Sequence, residues 1–548
     1  MKSTVSSLVE KLRAKPNGRP FTVLFDVGDS SDYPTSMAAD LALCTMIAQE
    51  TIDPSLIDDI YKESALYRPK AWTRDNYNDS IIQQAIAAIK ASKGIPSFIV
   101  QTIRKDKLVE KVSPPMLAQW IRDNVIYCIV RDDATQTVSI YLYNNGVFSE
   151  IDGNLFKGII KEPIEKYNPL LVDMKYIDET YKQLITDRKY YSSKLLNAHT
   201  NIINFENGIL NLDTMELLPH SPEYMSTIQI PSKWVNSESE TPVFDKYLDT
   251  LTNSDEALQK LLLQYMGVCL SNIPGYLLKK FLILYGEGNT GKSQLKRLLE
   301  MLLGSKNCCP IGLDKLETEF GPINLRYKRL AGSADMNYVS VKELSTLKSM
   351  TGSDSIFANR KGQMPVSFVY TGLFWFCANR LPKFGGDDGP WVFARICPVY
   401  CGNVISEAEQ DKLLLDKMYA EREGIIYKAI YALLEVIKNG YKLSEPQCVI
   451  DARAAYSKDN SIVSEFVHDC LEESGTTPAS ECSSVNEIYR IFTLWCKSNN
   501  NNHTLSKKDF KNGLARHFGV DEENLYTRVS KGMVINGYTL SNAADYYT

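Results

Sequence analysis

The chain has 548 residues, 44% of them hydrophobic and 23% charged, the make-up of three or four globular domains with real cores. With 61 Lys and Arg against 66 Asp and Glu, the net charge of −5 excludes a uniformly basic nucleic-acid binder, so any DNA contact has to come from local patches. No apolar run approaches the roughly 18 residues of a membrane span, and the N-terminal stretch reads as an amphipathic helix rather than a signal peptide. A cytoplasmic protein with no membrane contact is expected.

Residues 1–105 are read as mainly helical. The run from Ser36, SMAADLALCTMIAQ, has a capping serine and apolar residues at helical spacing, and a second helix starts at Asp53-Pro54, where proline suits the first helical position. Residues 106–240 look mixed, with strands at Asn124–Val130, Thr137–Asn144 and Asn201–Leu212 and turns at Asn145-Gly146 and Asn207-Gly208. From 241 to 440 strands alternate with helices, the α/β pattern. Residues 441–548 are helical again and end in a strand pair within Tyr526–Tyr538. The twelve cysteines are scattered from Cys44 to Cys496. The close pairs, Cys308-Cys309 and Cys397/Cys401, have neither a second pair nor a histidine at zinc spacing, so reduced, mostly buried thiols are expected.

The most specific signal is Phe281–Gln294, FLILYGEGNTGKSQ. Four apolar residues run into Gly286-Glu-Gly-Asn-Thr-Gly291-Lys292-Ser293, and LKRLLEMLLG follows with helical spacing. Strand, glycine loop and helix make a P-loop, G-x-x-x-x-G-K-S. Glycines at 286, 288 and 291 let the backbone curl round phosphates with its N–H groups inward. The binding set is then Gly286, Gly288, Asn289, Thr290, Gly291, Lys292, Ser293 and Gln294, with a nucleoside triphosphate as ligand. Lys292 reaches the β- and γ-phosphates and Ser293 ligates Mg²⁺.

The motifs after the glycine loop narrow the class. Lys328–Asp335 reads as a short strand ending in an acid, placed to hold Mg²⁺; the plainer reading of Asp335 is a turn or cap residue. Tyr370–Asn379 is a nearly all-apolar strand that delivers Asn379 to the ligand crevice, where an amide can orient water, although it also suits the start of a turn toward Pro382. Gly385–Pro390 feeds Arg395 on an otherwise apolar strand, as an arginine for a neighbour's γ-phosphate or as half of a structural ion pair. Between them Arg360-Lys361-Gly362 reads as a hairpin tip with two cations, either a DNA grip or a solvated loop.

Near the C-terminus Val485, Ile488, Phe492 and Trp495 form one helical stripe. Ser506-Lys-Lys-Asp509 then opens a helix from Lys507 to Phe518, and Thr527–Ser530 with Val534–Thr539 would make a wing around Lys531-Gly532. Between Lys497 and Lys531 seven Lys/Arg face four acids. This is the shape of a winged helix, with Lys507, Lys508, Lys511 and Arg516 on duplex phosphates, or of a protein-binding relative of that fold.

Taken together, the P-loop, Asp335, the Lys361 hairpin, F-C-A-N379-R-L-P and D-D-G-P-W…Arg395 resemble the superfamily 3 helicases, in their phage, plasmid and poxvirus-type primase–helicase branch. N-G-I-L-N-L-D-T…L-P-H-S-P from Asn207 resembles that family's helicase-adjacent N-terminal domain, and S-A-L-Y-R-P-K from Ser64 its primase–helicase linker. The resemblance implies an AAA+-type α/β core, ATP as the nucleotide, and a homo-hexameric ATPase ring that unwinds DNA during replication initiation of a phage, plasmid or genomic island. In it Lys292 and Ser293 are Walker A, Asp335 is Walker B, Lys361 is the pore lysine, Asn379 the sensor and Arg395 a finger acting in trans. Single- and double-stranded DNA and a separate primase or initiator are the implied partners. The rival expectation is an ATP-regulated origin-binding or assembly protein, or a DNA clamp, without processive unwinding. Where the family often has a second acid beside Walker B, Asp335 is followed by Met336 and Asn337, which leaves Asp335 or Glu343 as general base. The fused relatives carry a primase site of carboxylates plus histidine, and the first histidine here is His199, so primer synthesis is not expected.

Overall fold

The structure is a computed structural model that describes all residues except 1, 15–18, 93, 105–106, 133–136, 187–189, 337–339, 342–343, 385–389, 460, 476, 500–504 and 548. The chain divides into two units, Met1–Arg131 with Val138–Asn144 and Ser149–Ser192, and Asp132–Thr137 with Asn145–Phe148 and Ser193–Thr548.

The first unit has two apolar cores. One is helical. Lys2–Arg13 buries Val5, Val9 and Leu12, spaced to share a face, against Ser36–Ala48, Pro54–Lys62 and Tyr77–Ser92. Thr35, one residue earlier than expected, caps the second helix by accepting from the Ala38 N–H at 3.1 Å. Asp53 caps the third, ahead of Pro54, as its sequence predicts. Asp40 is fully buried and takes hydrogen bonds from Tyr61 Oη at 2.5 Å, Arg68 Nη2 at 2.5 Å and Tyr77 Oη at 2.8 Å. The arginine of S-A-L-Y-R-P-K therefore compensates a carboxylate that burial alone would make costly. The other core joins helices Pro114–Asn124, Gly153–Tyr167 and Met174–Ile185 to the antiparallel pair Tyr127–Arg131 and Val138–Asn144. A boundary at 105 would cut a hairpin, because Ile99–Arg104 pairs with Lys107–Val112.

The second unit is built on a five-stranded parallel sheet: β1 (Phe281–Tyr285), β2 (Cys308–Pro310), β3 (Leu330–Gly332), β4 (Leu373–Ala378) and β5 (Ile396–Tyr400), in spatial order β2-β3-β4-β1-β5. Alternate residues of each strand enter different cores. Leu282, Leu284, Trp375, Cys377 and Val399 face one side, with helices α1 (Pro242–Thr252), α2 (Glu256–Leu270), α3 (Lys292–Leu303) and a long helix Arg422–Lys438. Phe281, Ile283, Phe374, Phe376 and Ile396 face the other, with α4 (Ser345–Gly352) and α5 (Pro390–Arg395). Both faces are covered, so β4 is buried along its whole length and reads in sequence as a continuous apolar run. The long helix is α6. A two-stranded hairpin, Ser355–Arg360 with Gln363–Val369, is inserted ahead of β4.

Arg329 closes the amino-terminal edge of this sheet. Its fully buried guanidinium donates to the backbone carbonyls of Val268 and Ile273, each at 2.5 Å, of Cys269 at 3.2 Å and of Thr371. Burial draws its pKa down to about 10. Arg329→Met is expected to cost about 2 kcal/mol or more, because it strands the buried carbonyls of Cys269 and Ile273 at ~1–3 kcal/mol each, whereas Val268 O keeps its bonds from Ser271 and Thr371 O keeps the Gly275 N–H. An unchanged thermal midpoint would show that those oxygens find other donors.

The C-terminal part has its own core, from Val463 to Ala544, built on α7 (Ile462–Cys470), α8 (Val485–Ser498) and α9 (Lys507–Phe518). Ser461, Ser484 and Ser506 cap the three helices. The stripe Val485, Ile488, Phe492, Trp495 is buried as expected. The expected wing is an antiparallel hairpin that pairs Tyr526–Val529 with Gly532–Ile535, and Val529 opposite Gly532 makes the turn Ser530-Lys531, one residue earlier than the sequence suggests. All twelve cysteines are unpaired and all but Cys448 are buried. Among the described residues no helix is long and apolar enough to cross a membrane, and no three His, Cys, Asp or Glu cluster as metal ligands.

Candidate functional site

In a parallel sheet the carboxyl ends of the strands form one edge, and ligand crevices open where neighbouring connections diverge. Here the chain leaves β1 for the far edge strand β2, while β5 returns to the other side of β1, so the divergence lies at the end of β1. The glycine loop occupies that place. Gly286 has φ 141°, and a Cβ on it would stand 2.1 Å from the Cys401 carbonyl oxygen, so glycine is required by the close backbone approach. Gly291, at φ 89°, opens α3. Gly288 is different: it has no neighbour within 4 Å of a Cβ, and nothing in the structure demands glycine there.

Lys292 is 6% exposed and curls back into the loop, donating to Gly286 O at 2.9 Å, Glu287 O at 2.5 Å and Thr290 Oγ1 at 2.9 Å. Burial holds its ammonium below the ordinary lysine value, with Cys401, Cys377 and Asp335 pulling the other way. Ser293 Oγ donates to Ala334 O at 2.6 Å, so the loop's hydroxyl sits against the residue before Asp335. Gln294 follows with its Oε1 buried and without a hydrogen-bond partner. Asn289 has φ 61° and its carbonyl accepts from the Ile405 N–H at 2.9 Å, which ties the loop's tip to the chain after β5.

Asp335 is exposed three residues beyond β3, a strand shorter than the expected Lys328–Asp335. Met336 bridges to Ala378, and Asn379 follows directly, exposed at the end of β4. A cleft of about 590 Å³ then joins Asn379 to the start of the loop at Tyr285, Gly286 and Glu287. Lys292, Ser293, Asp335 and Asn379 thus share one edge of the sheet. Glu343 lies outside the described residues, as do residues 385–389.

Arg395 is placed differently. It ends helix α5 instead of standing on an apolar strand, and its Nη1 donates to Lys348 O at 2.6 Å and Thr351 Oγ1 at 2.7 Å, both on α4. Burial lowers its pKa while Asp354 raises it. Pro390 at the first helical position was the signal for this helix.

The hairpin has the expected tip: Arg360 pairs with Gln363 across Lys361-Gly362, Gly362 has φ 68°, and Lys361 is exposed. On α9, Lys507 donates to Asn486 Oδ1, and Arg516 Nε donates to its own helix at Asn512 O, 3.3 Å. Lys508 is exposed, whereas Lys511 lies 3.4 Å from Glu522 and over the Tyr526 ring.

Two aromatic neighbours of the loop carry no local sequence signal. Tyr247 on α1 donates from Oη to Gly291 O at 2.8 Å. Tyr400, at the end of β5 and 59% exposed, pairs with Tyr285 at 5.4 Å and lines the Asn379 cleft. Both reach the loop only through tertiary structure.

Several stretches of the chain match known families. Residues 115–253 match the D5 N-terminal-like family, and residues 458–545 match the poxvirus D5 protein-like family. Two segments are D5-like. Residues 284–395, which hold the glycine loop, Asp335, Asn379 and Arg395, match a family of unknown function, DUF5906. A relative from Acanthamoeba polyphaga mimivirus, named "Putative helicase L207/L206", is 22% identical over 406 residues, 69% of this chain. The chain spans 39% of that relative's length. The uncharacterized mitochondrial protein ymf21 of Marchantia polymorpha is 26% identical over 138 residues, 23% of this chain and 76% of its own. Among solved structures, an A-form apo structure of the NrS-1 C-terminal region covers 75% of this chain and 87% of its own at 14% identity, with a TM-score of 0.43. A second apo structure of that region covers 76% and 97% at 13% identity, with a TM-score of 0.42.

Proposed function

We propose that the protein is an ATP-dependent DNA helicase of the D5-like, superfamily 3 type, with an AAA+-type P-loop core, acting as a homo-hexameric ring in replication initiation. The Ser293 Oγ–Ala334 O hydrogen bond carries this reading, because it holds the P-loop hydroxyl beside Asp335 while Lys292 lies inside the loop. A hydroxyl and a carboxylate are hard oxygen donors of the kind Mg²⁺ takes. Ser293 and Asp335 would hold the ion, which when bound offsets the charge of the β- and γ-phosphates. Gly286–Gln294 would cradle the phosphates of ATP, and Asn379 would orient the attacking water. The relative named as a helicase supports the reading.

In the same reading Arg360 and Lys361 grip a strand through its phosphates, and the C-terminal domain is a winged helix that docks on duplex DNA through Lys507, Lys508, Lys511 and Arg516. The deciding measurement is strand displacement from a forked duplex, with ATP and with a non-hydrolysable analogue. Displacement with ATP alone is expected. Displacement with neither, alongside ATP-stimulated assembly on duplex, would replace the helicase by an origin-binding protein or clamp. Lys361→Ala is expected to keep basal ATPase while unwinding collapses, since translocation needs the grip and hydrolysis does not; normal unwinding would make the hairpin a surface loop.

A further inference from the structure

A second cleft, of about 800 Å³, opens at the amino-terminal edge of the parallel sheet, the edge opposite the glycine loop. Its walls are the segments that lead into β1, β3 and β4, and it reaches the root of the hairpin at Ser355 and Val369, which pair with each other. The composition of the lining departs from that of the chain. It carries four cations, Lys194, Arg326, Lys328 and Arg329, against one carboxylate, Asp132, whereas acids outnumber bases overall. Arg329 is spent on backbone carbonyls, and Arg326 pairs with Asp132 at 2.6 Å. Even so, Arg326 Nε is buried without a hydrogen-bond partner, and Lys194 and Lys328, the latter donating to the Lys306 carbonyl, bring two further positive charges to the lining.

The wall also has an aromatic shelf. Tyr327 is 38% exposed, its ring lies 4.6 Å from the Arg326 guanidinium, and its φ of 62° is a conformation that a residue with a Cβ adopts at a cost. Such strain persists where the surrounding structure enforces it, commonly at binding sites. Cations along a groove with an exposed aromatic face are the elements by which proteins hold single-stranded nucleic acid. A cleft of about 800 Å³ has room for a short run of a single strand and not for a duplex.

We propose that this cleft is a second nucleic-acid site, holding a single strand by its phosphates at the root of the hairpin whose tip carries Lys361. The proposal rests on the helicase reading but concerns different residues. A strand gripped at the tip would run along the ribbon, about 17 Å at the rise of an extended strand, and enter the cleft.

The test uses the full chain and a fluorescent oligothymidylate, with anisotropy followed across a salt series for wild type, the double variant Lys194→Gln/Lys328→Gln, and Lys361→Ala. Two lost phosphate contacts on a single strand should flatten the salt slope by about 1.4 units, with duplex binding and DNA-free ATPase unchanged. The unchanged ATPase also shows that the double variant is folded. A wild-type slope in the double variant overturns the cleft while leaving the helicase reading intact if Lys361→Ala still weakens binding. Equal losses on single strand and duplex overturn the single-strand assignment. A wild-type chain that binds no oligothymidylate overturns both.

Discussion

Lys292→Ala is expected to abolish ATP hydrolysis, by roughly 10²-fold or more, the scale on which a preorganised charge at a transferring phosphoryl group is worth. The reason lies in the loop. The Lys292 ammonium is held by Gly286 O, Glu287 O and Thr290 Oγ1, inside the curl where the phosphates would lie, so it is oriented before any ligand arrives. Its burial makes the charge more effective than it would be in water. Alanine removes the charge and leaves the curl, because Gly286 is set by Cys401 and the tip by Ile405. Asp335→Asn is the informative companion. The carboxamide keeps the shape of an exposed side chain that supports no packing, so nucleotide binding should survive while Mg²⁺-dependent turnover is lost. ATPase of the two purified variants, with binding of a fluorescent nucleotide as control, reads both. Near wild-type hydrolysis by Lys292→Ala would remove the P-loop assignment altogether.

The parts that sequence made legible are those with short-range causes. The strand before the glycine loop, the helix after it, the buried strand ending at Asn379, the hairpin tip at Lys361 and the helix Lys507–Phe518 with its Ser506 cap all stand where local pattern puts them. Errors cluster where two local rules compete. Residues 390–395 are a short apolar run ending in Arg395, which suits a strand, but six residues cannot decide period by themselves, and the proline start favoured the helix that forms. The C-terminal hairpin turns one residue early because Lys531-Gly532 is the stronger turn dipeptide, while the pairing of Val529 with Gly532 goes with the burial of Val534 and Ile535. Tyr247, Tyr400 and the cation-lined cleft carry no short-range signal at all. They come from segments as far apart in sequence as Asp132 and Thr371 and exist only once the sheet has formed.

Arg395 gives the sharpest test of the ring. It immediately precedes Ile396, which pairs with Phe281 at the start of β1, whereas the glycine loop follows Tyr285 at the other end of that strand. Five residues of extended chain separate the two ends by about 15 Å, so Arg395 cannot serve its own chain's loop. A catalytic role is open to it only at a neighbour's site, where an arginine finger is worth ~10³-fold or more in turnover. Arg395→Ala alone and Lys292→Ala alone should each be nearly inactive. Mixed under conditions where subunits exchange, they should recover hydrolysis, because some interfaces then pair an intact glycine loop with an intact arginine. The guanidinium's hydrogen bonds to Lys348 O and Thr351 Oγ1 supply the competing outcome. If no mixture exceeds either parent, and Arg395→Ala also lowers the thermal midpoint, the residue is the tie between α4 and α5 and the trans role falls. Recovery with an unchanged midpoint would require those two hydrogen bonds to give way when a neighbour's γ-phosphate is offered, which is how a finger held in reserve would behave.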